Sequence, residues 1–410
     1  MKKIIILGGG IGGVVSANLL RKKLPIEYRI ILIEKNPVHY FAPSFMWLMT
    51  GDRKSSNIST KLERLLNPGI EIIIAEANNI DITNKNVHTS NGNYDYDFLI
   101  IALGADLAPE LINGYNQDLH TFYSFEGSIK LYERLRKFKS GTIAVVVCSL
   151  PYKCPGAPIE GTLLIADYLR KNGLSDKIKI NYFTPEPQPM PVAGPELGSS
   201  VIKLLESNNV AFHPLYTLER FDTVNREIFF DNKNPEKYDL LVVIPPHRSP
   251  QVVRDSGLTN ESGWLPVNPQ TLETKYENVF AIGDITSVPI PGRWKPDVRM
   301  MLPKAGVFAH NQAEIVAERI IDKINQIGSK HFFKGGGYCV IEAGNKKAAF
   351  AYGNFYGEPH PEVIMKSVGK KWHLGKVFFE KWWLSSGIKK SIIEVILKFG
   401  IKLFRIPIKI

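Results

Sequence analysis

Residues 3–13 read KIIILGGGIGG: four consecutive large apolar residues that run directly into a cluster of glycines. A short all-apolar run bounded by glycine is the pattern of a strand buried on both faces. Gly8-x-Gly10-x-x-Gly13 then opens a helical stretch at 12–22, and a second apolar strand at 28–34 ends on Glu34. Glycines in that turn let the backbone approach a pyrophosphate at the helix N-terminus, where free amide N–H groups and the helix dipole favour anions. A carboxylate at the end of the second strand accepts hydrogen bonds from ribose hydroxyls. Strand, glycine turn, helix and acid in this order specify a dinucleotide-binding α/β unit. The opening also has the basic-then-apolar look of a secretion signal. Four apolar residues ahead of glycines are too few for one, so we expect a first strand and no signal peptide.

Working outward, an apolar run at 97–103 closes on Gly104, and a second α/β region follows from about 106 to 269. Its strands are expected at 142–148, 178–183 and 240–244, with a helix at 160–171. The stretch TPEPQPMPVAGPE (184–196) reads as a loop with several rigid turns. NVFAIGD (278–284) returns to the pattern of the first unit, and from about 331 the composition becomes aromatic and basic. At 410 residues the chain is too long for one core. The expected fold is α/β, with two Rossmann-like dinucleotide-binding domains and a C-terminal amphipathic membrane-binding segment. The first domain comprises 1–105 and 270–330, the second 106–269, and the C-terminal segment 331–410.

The choice of dinucleotide rests on two turns. Ala281-Ile282-Gly283-Asp284 is a strand ending in Gly-Asp, and with FLIIALGA (98–105) it resembles the two-dinucleotide-binding-domain flavoproteins over nearly the whole chain. In that family the Asp lies against the ribityl chain of FAD, and the second domain carries its own glycine loop for a nicotinamide nucleotide. Here the matching turn reads SLPYKCPGAPIE (149–160), with prolines in place of glycines. Proline lacks an N–H and fixes φ, so it cannot supply an amide cradle. The second domain is therefore expected to be a degenerate NAD-type fold. The resemblance implies that FAD contacts Gly8, Gly10, Gly13, Glu34, Lys35, Ala77, Gly104, Gly283, Asp284 and Lys304, the last near the flavin carbonyl edge.

The same turn holds Cys154. YKCPGAP (152–158), VAGPE (192–196), DLLVVIPPH (239–247) and Gly337-Tyr338-Cys339 together resemble the sulfide:quinone oxidoreductases and the flavin subunit of flavocytochrome c sulfide dehydrogenase. In those families two cysteines form a redox-active disulfide or polysulfide bridge beside the flavin, and Cys154 and Cys339 match them. A hydrosulfide attacks a disulfide sulfur to give a persulfide and a free thiolate. The resemblance makes Cys339 the flavin-proximal cysteine and Cys154 the bearer of the growing sulfur chain. Glu160 matches an acidic position used as a proton acceptor, and it reads equally as a helix-start carboxylate complementing the dipole. Cys148 ends an all-apolar strand and reads as core. Where flavocytochrome c proteins have the cysteine that holds flavin covalently, HYFAPSF (39–45) offers Ala42, so FAD is expected to bind non-covalently. Nine histidines without ligand spacing and no Cys-x-x-Cys give no metal site. His247 reads as a loop histidine bonded to backbone.

The formal net charge is +11, and eleven Lys and Arg against two acidic residues fall between Lys366 and the end. After Gly387, the residues Ile388, Ile392, Ile396, Phe399 and Leu403 fall on one helical face. Lys389, Lys390, Glu394, Lys398, Lys402 and Arg405 lie mostly opposite. With the tryptophan pair just before it, this segment suits a membrane interface rather than nucleic acid. A face packed on the protein's own core is the competing expectation. No run of apolar residues is long enough for a transmembrane helix. The leading expectation is a peripheral, monotopic enzyme that passes electrons from sulfide to quinone and yields polysulfide or sulfur. Phe350 and Phe378 are expected near the quinone, and a homo-oligomer is left open. A flavocytochrome c type subunit, a type II NADH:quinone dehydrogenase and a non-enzymatic FAD-binding subunit are the rival expectations.

Overall fold

The computed structural model describes residues 2–116, 119–295, 297–404 and 406. The strand Lys3–Leu7 lies in the middle of a five-stranded sheet, with Phe98–Ile101 and Val279–Ala281 on one side and Arg29–Glu34 and Ile70–Ile74 on the other. All its pairings are parallel, with Ile4 opposite both Ile30 and Phe98. Ile4, Ile5, Ile6 and Leu7 are wholly buried, as the unbroken apolar run requires. Each such side chain contributes about 1.5–3 kcal/mol by leaving water. The helix Ile11–Lys23 packs on the long helix Gly306–Ile324.

A second parallel sheet has the order Val210–Pro214, Ile178–Thr184, Gly141–Val147, Leu240–Ile244. Its first crossover is the helix Ala157–Lys171, which begins three residues earlier than the sequence suggested, with Pro158 in its first turn. Proline is tolerated there because the first N–H groups of a helix have no intrahelical partner. The proline-rich stretch is also less of a loop than its composition implies. It contains a short turn of helix at Pro191–Ala193 and the start of the helix Pro195–Glu206.

A third sheet, antiparallel, joins Gly336–Glu342, Ala348–Asn354 and Glu362–Gly369. The helices Lys370–Trp383 and Gly387–Leu403 follow and pack on each other. Among the described residues no helix is long and apolar enough to cross a membrane. On the last helix, Ile393 is buried while Ile388, Ile392, Ile396, Phe399 and Leu403 are all exposed, Ile388 by 81%. The apolar face read from the sequence thus does not pack on the protein's own core. Arg405 lies outside the described residues.

Candidate active site

At the first turn, Gly8 and Gly13 are there for want of room. Gly8 has φ +102°, and a Cβ on Gly13 would come within 1.8 Å of the Gly8 carbonyl oxygen. Gly10 has open space where its Cβ would stand, which leaves the approach to the helix N-terminus clear. Glu34 ends its strand with one carboxylate oxygen accepting from Gly9 N (2.7 Å) and the other from Asn36 N (2.9 Å). Gly283 N donates to Gln312 on the long helix at 2.7 Å. Asp284 Oδ1 is buried with no hydrogen-bond partner among the described residues, and burial raises its pKa. An orphaned buried carboxylate oxygen costs about 1–3 kcal/mol unless something donates to it. With the open cradle at Gly10, this fits a polyol-bearing dinucleotide such as FAD.

The remaining expected cofactor residues are placed less uniformly. Gly104 follows its strand with φ +69°, and Ala77 opens the strand Ala77–Asp81. Lys35 is exposed and pairs with Glu76 at 3.4 Å. Lys304 lines the central cavity, but its ammonium donates to the carbonyls of Asp284 (2.7 Å) and Thr286 (3.0 Å) and lies 3.4 Å from the Trp264 ring centre. Burial lowers its pKa to about 8.

That cavity has a volume of about 1190 Å3 and is largely apolar. Cys154, Cys339 and Glu160 all line it, although 185 residues of sequence separate the two cysteines. Cys154 sits in the proline-bearing turn with φ +56°, its N–H bonded to the Lys304 carbonyl at 2.5 Å. Cys339 comes from the third sheet, and a Cβ on Gly156 would stand 3.0 Å from its Sγ. Glycine at 156 therefore lets the cysteine turn come close to Cys339. All three cysteines are free thiols in this structure. Burial, then the neighbouring Glu160, raises the Cys154 thiol to about 11, and burial with the nearby Cys154 pushes Cys339 up as well. Lys376 opposes both shifts.

Glu160 lies in the first turn of its helix and is buried, with Lys376 as its ion-pair partner. Burial pushes its pKa up to about 7 despite that cation. Glu160 thus stands at the helix start and also faces the chamber. Its partner was not recognised as a site residue. Lys376 heads the aromatic and basic segment near the C-terminus, where a lone lysine carries no signal of burial.

Phe350 and Phe378 do not line the cavity. Phe350 stacks on Trp372 with ring centres 4.8 Å apart, and Phe378 packs into the main core. Phe355 and Phe379 line it instead. One residue along a helix turns a side chain by about 100°, so Phe379 faces Phe41 and the chamber where Phe378 does not. Cys148 is buried in an apolar cluster with its pKa raised by burial. His247 bonds the Pro245 carbonyl at 2.8 Å, and burial followed by Lys153 lowers its pKa to about 3.

Two features that the sequence reading passed over complete the picture. Glu186, two residues beyond the second strand of the second sheet, is buried and accepts from the Tyr152 hydroxyl at 2.7 Å. It stands where Glu34 stands in the first unit, but an internal tyrosine from the proline turn occupies it. His39 joins the glycine turn to the C-terminal helices: its Nδ1 contacts Gly9 O at 3.0 Å and its Nε2 accepts from Trp383 Nε1 at 2.9 Å.

Two parallel dinucleotide-binding sheets, a glycine cradle and a cysteine-lined chamber between them define a flavin-dependent oxidoreductase. Residues 2–313 match the pyridine nucleotide-disulphide oxidoreductase family, and the chain belongs to it as an FAD-binding enzyme. It is 27% identical to the sulfide-quinone reductase of Aquifex aeolicus over 97% of this chain and 95% of that protein. The X-ray structure of the sulfide:quinone oxidoreductase from the same bacterium superposes with a TM-score of 0.86 at 25% identity, covering 100% of this chain and 96% of that one. A type II NADH:quinone oxidoreductase of Staphylococcus haemolyticus is 24% identical over 79% of this chain and 83% of its own length. The resemblance read from the four sequence segments thus recurs in whole-chain similarity.

Proposed function

We propose that this enzyme oxidises sulfide to polysulfide or sulfur through Cys154 and Cys339 and reduces a quinone at a membrane surface. The observation that carries the reading is the meeting of Cys154, Cys339 and Glu160 on one chamber. Bound FAD supplies two-electron exchange between sulfur and quinone. The chain's own residues do the rest. Cys154 holds the incoming sulfur, the apolar walls exclude water, and Glu160 takes the proton of the hydrosulfide. Lys376 stabilises whichever of the carboxylate and the thiolates is charged. In this reading 1–105 and 270–330 hold FAD, without a covalent link, through Gly8, Gly10, Gly13, Glu34, Lys35, Ala77, Gly104, Gly283 and Asp284. The segment 106–269 presents Cys154, and 331–410 supplies Cys339, the quinone side and the membrane contact. Phe355 and Phe379 are better placed than Phe350 and Phe378 to receive a quinone ring.

The exposed face of Gly387–Leu403 supports membrane contact. Each exposed isoleucine or phenylalanine gains about 1.5–3 kcal/mol on full burial, and each lysine near an anionic surface about 1 kcal/mol.

The similarity to an NADH:quinone oxidoreductase favours a second reading, against which stand the prolines at 151 and 155 and the Tyr152–Glu186 bond. An anaerobic titration decides between them. Sulfide alone should bleach the flavin and a short-chain quinone should restore it. Cys339→Ser should keep FAD and lose the response. Bleaching by NADH alone would overturn the proposal.

A further inference from the structure

The chamber reaches solvent along a rim that can be traced contact by contact around Cys154. Cys154 N bonds the Lys304 carbonyl, and the Lys304 ammonium lies over Trp264. From there Leu265 and Pro266 pair with Thr286 and Ser287, which lead into a hairpin at 288–302. Leu302 N bonds Val288 O at 2.8 Å, and Ile290 N bonds Met300 O at 3.1 Å. The tip of the hairpin is pinned on two sides. Arg293 N donates to Pro359 O at 2.8 Å, and Trp294 stacks on His360 with ring centres 3.9 Å apart. On the other side Trp294 Nε1 donates to Val192 O at 3.0 Å. Val192 belongs to the proline-rich stretch that holds Glu186, and the Tyr152–Glu186 bond returns the ring to the cysteine turn. Leu150, Val298 and Met301 line the chamber and are exposed, which marks the opening.

Where this lining meets water, its charge has one sign. Lys295 and Arg299 line the chamber and are exposed, and neither has an ion-pair partner among the described residues. The carboxylates that line it are Glu160 and Glu186, and both are buried. Burial pushes each of them up to about 7, so neither is a full negative charge at neutral pH. Asp297 and Glu261 are exposed nearby in sequence but do not line the chamber. Exposed cations are ordinary on a protein surface. Two that stand on the wall of an apolar chamber act on whatever enters it, because a low-dielectric cleft lined by one sign of charge concentrates the opposite ion. Hydrosulfide is too small to be selected by shape, and its charge is what a site can grip. We propose that Lys295 and Arg299 draw hydrosulfide through this rim onto Cys154. The proposal rests on the sulfide reading above and adds the entrance, and the anionic form in which sulfide arrives. The two cations touch no reacting atom. They raise the local concentration of HS− before any bond changes.

The test is the salt dependence of flavin reduction. Sulfide is mixed anaerobically with the FAD-loaded enzyme, and the second-order rate of bleaching is read from about 0.01 M to about 0.1 M salt. Over that range the screening length falls from about 30 to about 10 Å, and the rate of the natural enzyme should fall with it. Lys295→Ala with Arg299→Ala should lower the low-salt rate on the order of tenfold and flatten its salt dependence. The loss should vanish at saturating sulfide. Lys295→Arg with Arg299→Lys should keep both the natural rate and its salt slope, which a damaged rim would not. A second readout needs no sulfide. In the reduced enzyme, alkylation of Cys154 by the anion iodoacetate should slow in the double alanine variant, while alkylation by neutral iodoacetamide should not. Salt-independent bleaching of the natural enzyme, or an unchanged ratio of the two alkylation rates, would overturn the rim alone. A natural enzyme that sulfide does not bleach would overturn the sulfide reading instead, and the alkylation ratio would still decide whether the rim gathers anions.

Discussion

At the scale of single residues, two buried carboxylates carry sharp expectations. Glu160 is raised to about 7 by burial against the pull of Lys376. As a proton acceptor it works only when ionised, so sulfide oxidation should rise as pH increases through about 7. Glu160→Gln should lower the rate by about a hundredfold or more and flatten that limb of the profile. Steady-state rates across the pH range check both. Glu186 is raised from 4.5 to about 7, again chiefly by burial. Between those values the folded protein holds a proton that the unfolded chain has lost. This contribution to stability is therefore complete below 4.5 and is lost as pH rises to about 7. Glu186→Gln keeps an acceptor for Tyr152 and removes the titration. Its melting temperature should exceed that of the natural protein by about 2–4 °C above neutral pH, and the two should converge in acid. A gain that persists unchanged in acid would point to packing instead. Neither carboxylate advertised its burial in sequence. In sequence Glu160 reads equally as a proton acceptor and as a helix-start carboxylate, and Glu186 falls in the proline-rich stretch 184–196 that reads as loop.

At the scale of elements, the last helix and the proline turn behave oppositely to their neighbours. The helix Gly387–Leu403 keeps one residue, Ile393, in the core and turns Ile388, Ile392, Ile396, Phe399 and Leu403 outward. Two charges placed on that face, Ile392→Glu with Ile396→Glu, should abolish sedimentation with anionic vesicles. Turnover with a water-soluble short-chain quinone should survive, because neither residue lines the chamber. Loss of both together would mean that the face holds the fold. The period of the apolar residues was legible in sequence. Whether that face met protein or solvent was not, since both outcomes have the same pattern. The turn 149–156 shows the reverse case. Its prolines announce a lost amide cradle, and the structure adds Tyr152 bonded to Glu186, two residues beyond the strand Ile178–Thr184.

Across the whole molecule, the C-terminal helices reach back to the first turn of the chain. Trp383 donates to His39, and His39 contacts the Gly9 carbonyl. Glu380 receives Ser44 at 2.5 Å and Arg53 at 2.9 Å. The face that would meet a membrane and the loop that would hold the pyrophosphate are therefore parts of one packed unit. Trp383→Phe removes one hydrogen bond of about 0.5–1.5 kcal/mol. It should weaken FAD retention by a few-fold, measured as flavin released on dilution, with the cysteine chemistry intact. Flavin freed whole by acid precipitation would show in the same experiment that no covalent link holds it.

What the sequence determined by itself is the local grammar: which runs become buried parallel strands, where glycine or proline must or cannot serve a phosphate, and which face of the last helix is apolar. Those follow from backbone sterics and periodicity within a few turns of chain. Only the tertiary structure decided which distant groups share a chamber. Cys154, Cys339, Glu160 and Lys376 come together on one chamber because a strand of the third sheet and a C-terminal helix fold onto the cysteine turn. Burial and ion pairing, which set the charge of each group, come into being only with that packing.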